Sequence, residues 1–166
     1  MKGHLQKHSI GAFGSLLVAV AVLAQGQQSD VAMLTDGQLH VVMCGTGSPI
    51  TDANRASACV AVVAGGEVVL IDTGPGSWRQ VALNKVPGQN VSAILLTHYH
   101  SDHIGDLGEA ITQSWLAGRT KPLEVYGPPG VDKVVAGFAQ AYSMDVEYRI
   151  AHHTEQLLPR AASGAL

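Results

Sequence analysis

Residues 91–97, VSAILLT, form an almost wholly apolar run that leads directly into HYHSDH, residues 98–103. Seven residues of this kind, bounded by the turn formers PGQN, read as a buried strand. Its far end carries four side chains of the types that bind metals: His98, His100, Asp102 and His103. The chain holds eight histidines in 166 residues, and three fall within these six positions. A solvated loop explains a single histidine but not this spacing. If extended geometry continues beyond the strand, residues 98, 100 and 102 point to one side. His98 and His100 are then expected to share one ion, with Asp102 and His103 turned towards a second. Imidazole and carboxylate donors suit zinc, with manganese or iron as alternatives. Two ions ~3.5–4 Å apart can hold a water and lower its pKa towards neutrality. Asp102 is therefore expected to be catalytic as well as ligating. Tyr99 and Ser101 alternate to the other side and are expected to be spacers.

A second carboxylate ends an apolar strand. EVVLID, residues 67–72, stops at Asp72 and is followed by TGPG. A carboxylate in that position needs partners. Metal-bound histidines commonly donate their other nitrogen to a carboxylate, so Asp72 is expected to support the histidines from behind. His40 is expected on an exposed strand. His152 and His153 are adjacent and point different ways on any regular element, so no metal role is expected for them. GTGSP, residues 45–49, lacks the lysine of a phosphate-binding loop.

The remaining pattern places these pieces in a fold. QLHVVMC (38–44), SACVAVVA (57–64) and EVVLID read as strands, the last two joined by a Gly65-Gly66 hairpin turn. WRQVALNKV (78–86) reads as a short helix. DLGEAITQSWLAG (106–118) reads as a helix with a capping box, Asp106 to Glu109, and a stop at Gly118. PLEVYG (122–127) is a strand. VDKVVAGFAQAYSM (131–144) is an amphipathic helix, and from 145 onward helix and loop stay open. Hairpins followed by strand–helix alternation predict an α/β (α+β) mixed sheet covered by helices.

The N-terminus stands apart. MKGHLQKHS is short and basic, residues 10–24 are an uncharged apolar run, and small residues follow at Ala24 and Gly26. This is the order of a secretory signal peptide over residues 1–26, with a retained anchor and a core helix as lesser alternatives. A stable membrane span normally needs ~20 apolar residues. The expected location is periplasmic or secreted, or cytoplasmic if this segment is not a signal. Cys44 and Cys59 lie in strand-like segments and are expected to be free, buried hydrophobes, although an exported protein permits a disulfide. Net charge is −3 and the ten Lys and Arg residues are scattered, so no nucleic-acid footprint appears.

THYHSDH together with VVLIDTGPG resembles the metallo-β-lactamase superfamily. MCGTGSPITDANRASA and VYGPPG resemble its ribonuclease Z-like branch. The resemblance covers residues 38–150. It implies the N-terminal part of an αββα sandwich with two divalent metal ions, usually zinc. By position His98 and His100 match ligands of the first ion, Asp102 and His103 ligands of the second, and Asp72 the supporting aspartate. It implies hydrolysis by a metal-bound hydroxide. The family's third histidine for the first ion, its bridging aspartate and its last histidine have no counterparts downstream. Residues 27–166 are therefore expected to be a metallo-β-lactamase-like domain incomplete at its C-terminus, with little or no activity alone.

Three functions compete. The first is an exported metal-dependent hydrolase acting on a small ester, lactone, sulfate or phosphodiester, so that the expected partner is a small-molecule substrate. The second is a ribonuclease Z-like endoribonuclease acting on RNA. The third is an inactive metal-binding module. A homo-oligomer is compatible with all three.

Overall fold

A computed structural model describes residues 30–166. The expected export signal, residues 1–26, lies outside them. A one-turn helix, α1 (Ala32–Thr35), precedes three strands, β1 (His40–Gly45), β2 (Cys59–Ala64) and β3 (Glu67–Ile71). Helix α2 (Ser77–Leu83) leads to β4 (Val91–Leu95). A one-turn helix, α3 (Ser101–Ile104), is followed by α4 (Leu107–Leu116), β5 (Glu124–Tyr126) and the long α5 (Val131–His153). The strands form one mixed sheet in the order β1-β2-β3-β4-β5. β1, β2 and β3 are antiparallel, and β4 and β5 add in parallel. The predicted mixed α/β architecture and order of the main elements are both observed.

Alternation explains which face is covered. Ala61, Val63, Val68, Leu70 and Ile94 are almost wholly buried, and they pack with Val81 of α2, Leu107 and Ile111 of α4 and Val135 of α5. Each buried valine, leucine or isoleucine here contributes about 1.5–3 kcal/mol by leaving water, and Ala61 less. The Gly65-Gly66 turn is as expected: both residues have positive φ, and Ala64 pairs with Glu67. The opposite face carries Val41, Met43, Leu95 and Tyr126, each at least 40% exposed. The register joins them through Val62, Val60, Val69 and Ile71 into one apolar surface. No described helix or strand covers it.

Two expectations need correction. Cys44 and Cys59 are not free thiols; they form a disulfide between β1 and β2. The antiparallel ladder sets Gly45 opposite Cys59, which brings the two α-carbons to 5.0 Å with both side chains in the core. Asp106 makes no capping bond to its own helix; its Oδ2 accepts from the Trp78 N–H, 3.2 Å away, at the start of α2. Helix α5 runs to His153, because Val146 and Ile150 find a second small core around Trp115, Leu158 and Ala162. Residues 164–166 pair with Leu123 and Val125 and so cover the β5 edge of the sheet.

Beyond α4 the chain buries Arg119. Its guanidinium donates to the carbonyls of Ile111 and Lys121 and to Ser114 Oγ. It thereby satisfies carbonyls near the helix end. Burial pulls it down to about 10. Gly118 ends α4 with φ of 116°, as its position predicts.

Candidate metal centre

Strand β4 ends at Leu95, and residues 96–100 form a loop rather than continued strand. The expected alternation therefore stops short. His98 and His100 project from the loop, whereas Asp102 and His103 sit on α3, where consecutive residues diverge by about 100°. The loop and one-turn helix still gather the side chains. The His98 ring centroid lies 4.0 Å from that of His103 and 4.7 Å from that of His100. His103 Nε2 faces Asp102 Oδ2 at 3.5 Å. Asp102 is buried, and the imidazoles of His98 and His103 are partly so.

Asp72 stands beside this group. Its backbone adopts positive φ, 60°, a conformation aspartate tolerates better than most residues. Its Oδ2 accepts from His103 Nδ1–H at 2.8 Å. Main-chain bonds stitch the same turn to α3: Thr73 N–H to the His103 carbonyl, and Asp106 N–H to the Thr73 carbonyl. The Gly74 backbone lies against Asp102, too close for a side chain. Thr97 completes the set. Its N–H donates to Asp72 Oδ1 and its hydroxyl to Asp72 Oδ2, both at 2.8 Å. Thr97 was not expected to take part, although its place between β4 and His98 was the available signal.

Two further features frame the cluster. Tyr99, expected to be only a spacer, donates its hydroxyl to the Pro128 carbonyl and so ties the histidine loop to the GPPG turn. Burial, followed by the charge of Asp132, raises the Tyr99 phenol above its ordinary value. On the other side, a pocket of about 190 Å3 is lined by Asp52, Arg55, Ser57, Ser101 and Asp102, among others. Arg55 is held there by Asp52 at 2.7 Å. His40, the first residue of β1, pairs with Asp36 just before the strand, and His152 and His153 touch each other in the last turn of α5.

The profile of the metallo-beta-lactamase superfamily matches residues 53–156, more than half of the chain and all of the cluster. The chain belongs to the metallo-beta-lactamase superfamily. Among curated superfamily relatives, it is 44% identical over 126 residues to ribonuclease Z of Mycolicibacterium paratuberculosis, covering 74% of this chain and 45% of that protein. It is also 44% identical over 124 residues to ribonuclease Z of Mycolicibacterium gilvum, covering 73% and 43%. The chain thus spans under half the length of these relatives. Among solved structures it is similar to human tRNase Z, short form, with a TM-score of 0.57 and 25% identity over 64% of this chain and 40% of that one. A long-form RNase Z from yeast shares the fold, with a TM-score of 0.56 at 17% identity, over 74% of this chain and 18% of that one.

The superfamily's usual metal pair can be tested against these residues. Donors on one tetrahedral zinc, with bonds of ~2.0–2.2 Å, stand about 3.4 Å apart. The 3.5 Å between His103 Nε2 and Asp102 Oδ2 fits one edge of such a shell. The donor chemistry also fits, with imidazole and carboxylate and an aspartate behind. The number is incomplete: among the described residues, no three His, Cys, Asp or Glu side chains converge on a common ion position.

Proposed function

We propose that this chain carries the nucleating half of a two-metal hydrolase site and that the complete site cleaves phosphodiester bonds in RNA, in the manner of its ribonuclease Z relatives. The observation that carries the reading is the placement of His98, His100, Asp102 and His103 together at the end of β4, backed by Asp72, in a chain 44% identical to ribonuclease Z over 126 residues. His98 and His100 would hold one ion, and Asp102 and His103 the other. Bound there, divalent ions would activate water and polarise the bond it attacks. Asp72 fixes the His103 ring, and the buried Asp102 keeps its carboxylate beside it. The donors that complete each shell would come from outside residues 30–166.

The relatives are named as ribonucleases, which favours the second of the competing functions over a small ester, lactone or sulfate substrate. A second reading concerns compartment alone. The signal-like residues 1–26 and the Cys44–Cys59 disulfide favour an oxidising, exported setting. No helix among the described residues is long and apolar enough to cross a membrane.

The test is complementation. The purified 166-residue chain, with added zinc, is mixed with the part of the M. paratuberculosis ribonuclease Z that it does not match. A precursor tRNA and a panel of chromogenic esters, lactones and sulfates are supplied. Cleavage of the RNA by the mixture, with neither half active alone, is expected. Turnover of the small substrates by the chain alone would overturn the proposal. Subcellular fractionation of the native protein decides the compartment.

A further inference from the structure

The hydrogen bonds around Thr97 contain more information than their number suggests. Thr97 Oγ lies 2.8 Å from Asp72 Oδ2, 3.0 Å from His98 Nδ1 and 3.4 Å from His103 Nδ1. A carboxylate only accepts, and a hydroxyl owns a single hydrogen. Asp72 Oδ2 must therefore receive that hydrogen from Thr97. With its hydrogen spent, Thr97 Oγ can only accept from His98, so His98 must carry its proton on Nδ1. His103 reaches the same carboxylate directly, at 2.8 Å, and must also carry its proton on Nδ1. One aspartate thus sets two imidazoles, the nearer by contact and the farther through a hydroxyl.

We propose that Thr97 is a positioning residue that relays the Asp72 carboxylate to His98 and fixes His98 as the Nδ1–H tautomer. Both rings then present an unprotonated Nε2, the form in which a neutral imidazole donates to a metal. The third ring shows what the relay adds. His100 has a ring contact with His98 but is exposed, and no Thr97 or Asp72 bond reaches it. The usefulness of the relay rests on the metal reading above; its existence does not.

The tautomers are read by nitrogen-detected NMR of the histidine rings in the metal-free 166-residue chain. The spectra are recorded in mildly alkaline buffer. Wild type is compared with Thr97→Val, which keeps the shape and removes the hydroxyl, and with Thr97→Ser, which restores it. His98 is expected as Nδ1–H in wild type and Thr97→Ser, and to move towards Nε2–H in Thr97→Val. His103 is expected to stay Nδ1–H in all three, which also reports an intact fold. A His98 proton on Nε2 in wild type, or a tautomer indifferent to Thr97→Val, overturns the relay. Zinc titration of the same samples is expected to show about tenfold weaker binding in Thr97→Val, with recovery in Thr97→Ser. If wild type bound no zinc while the tautomers moved as described, the relay would stand and the metal function would fall.

Discussion

Gly74 and Asp102 are packed backbone to backbone: a β-carbon on Gly74 would overlap the Asp102 carbonyl oxygen and lie 2.9 Å from the Ala58 nitrogen. The same Gly74 donates its N–H to the Ala58 carbonyl at 2.9 Å. The turn after β3, the loop before β2 and the helix that carries Asp102 therefore meet at one residue without a side chain. Neither neighbour is a flexible side chain that can move aside. Gly74→Ala is expected to cost about 1–3 kcal/mol through overpacking and to displace Asp102. Denaturant unfolding measures the first effect. Weaker zinc binding in the still-folded fraction measures the second.

The disulfide closes the loop that leans on this turn. Cys44 and Cys59 are separated by 15 positions, and both are at most 2% exposed. A cross-link over a loop of that size contributes roughly 3 kcal/mol by restricting the unfolded chain. The Cys44→Ala/Cys59→Ala double variant is expected to lose about that much in denaturant unfolding. Burial of the sulfurs adds a kinetic expectation. Reductant should act on the native chain only after it opens, so thiol release should track unfolding. Rapid reduction of the folded chain would contradict it.

Asp106 gives stability a pH dependence of known sign. Burial raises its carboxyl above the ordinary 3.8, against the lowering effect of the N–H groups at the start of α2. The folded chain therefore holds this proton more tightly than the unfolded chain. Stability falls as pH rises from near 3.8 through the folded value, and the loss persists above it. Asp106→Asn keeps an oxygen to cap α2 and removes the titration. It is expected to be more stable than wild type at about pH 7, with the difference shrinking at about pH 3. Unfolding midpoints at the two pH values test this. An advantage that grows on acidification would contradict it.

The uncovered sheet face should be sticky. Met43 and Leu95 are 56% and 40% exposed on an apolar surface that runs from β1 to β5. Apolar patches of this kind bind partners or aggregate. The chain is expected to bind a hydrophobic dye and to self-associate, and Met43→Lys/Leu95→Lys is expected to weaken both. Light scattering and dye fluorescence measure the outcome. The unmatched half of ribonuclease Z, if it seats on this face, should protect it from the dye.

Much of this was legible along the chain because it depends on local period and local chemistry. The alternation in 59–71 determined a hairpin, and the histidine cluster announced itself by spacing. What escaped depends on meetings between distant residues. Asp106 has the spacing of a capping box with Glu109, yet its carboxylate serves α2, 28 residues away, because the DTG turn draws the two helix starts together. Cys44 and Cys59 read as ordinary apolar residues until the ladder sets them side by side. The end of α5 could not be read because its partners, Trp115 and Leu158, lie on other elements. Thr97 is an unremarked strand-end residue until Asp72 arrives from β3.

The most direct measurement is an equilibrium zinc titration of the 166-residue chain against four single variants, His98→Ala, His100→Ala, Asp102→Ala and His103→Ala, with His152→Ala as control. Each of the four is expected to weaken binding at least tenfold, about 1.4 kcal/mol, while the control leaves it unchanged. Equal affinity in all six proteins would mean that the end of β4 holds no metal.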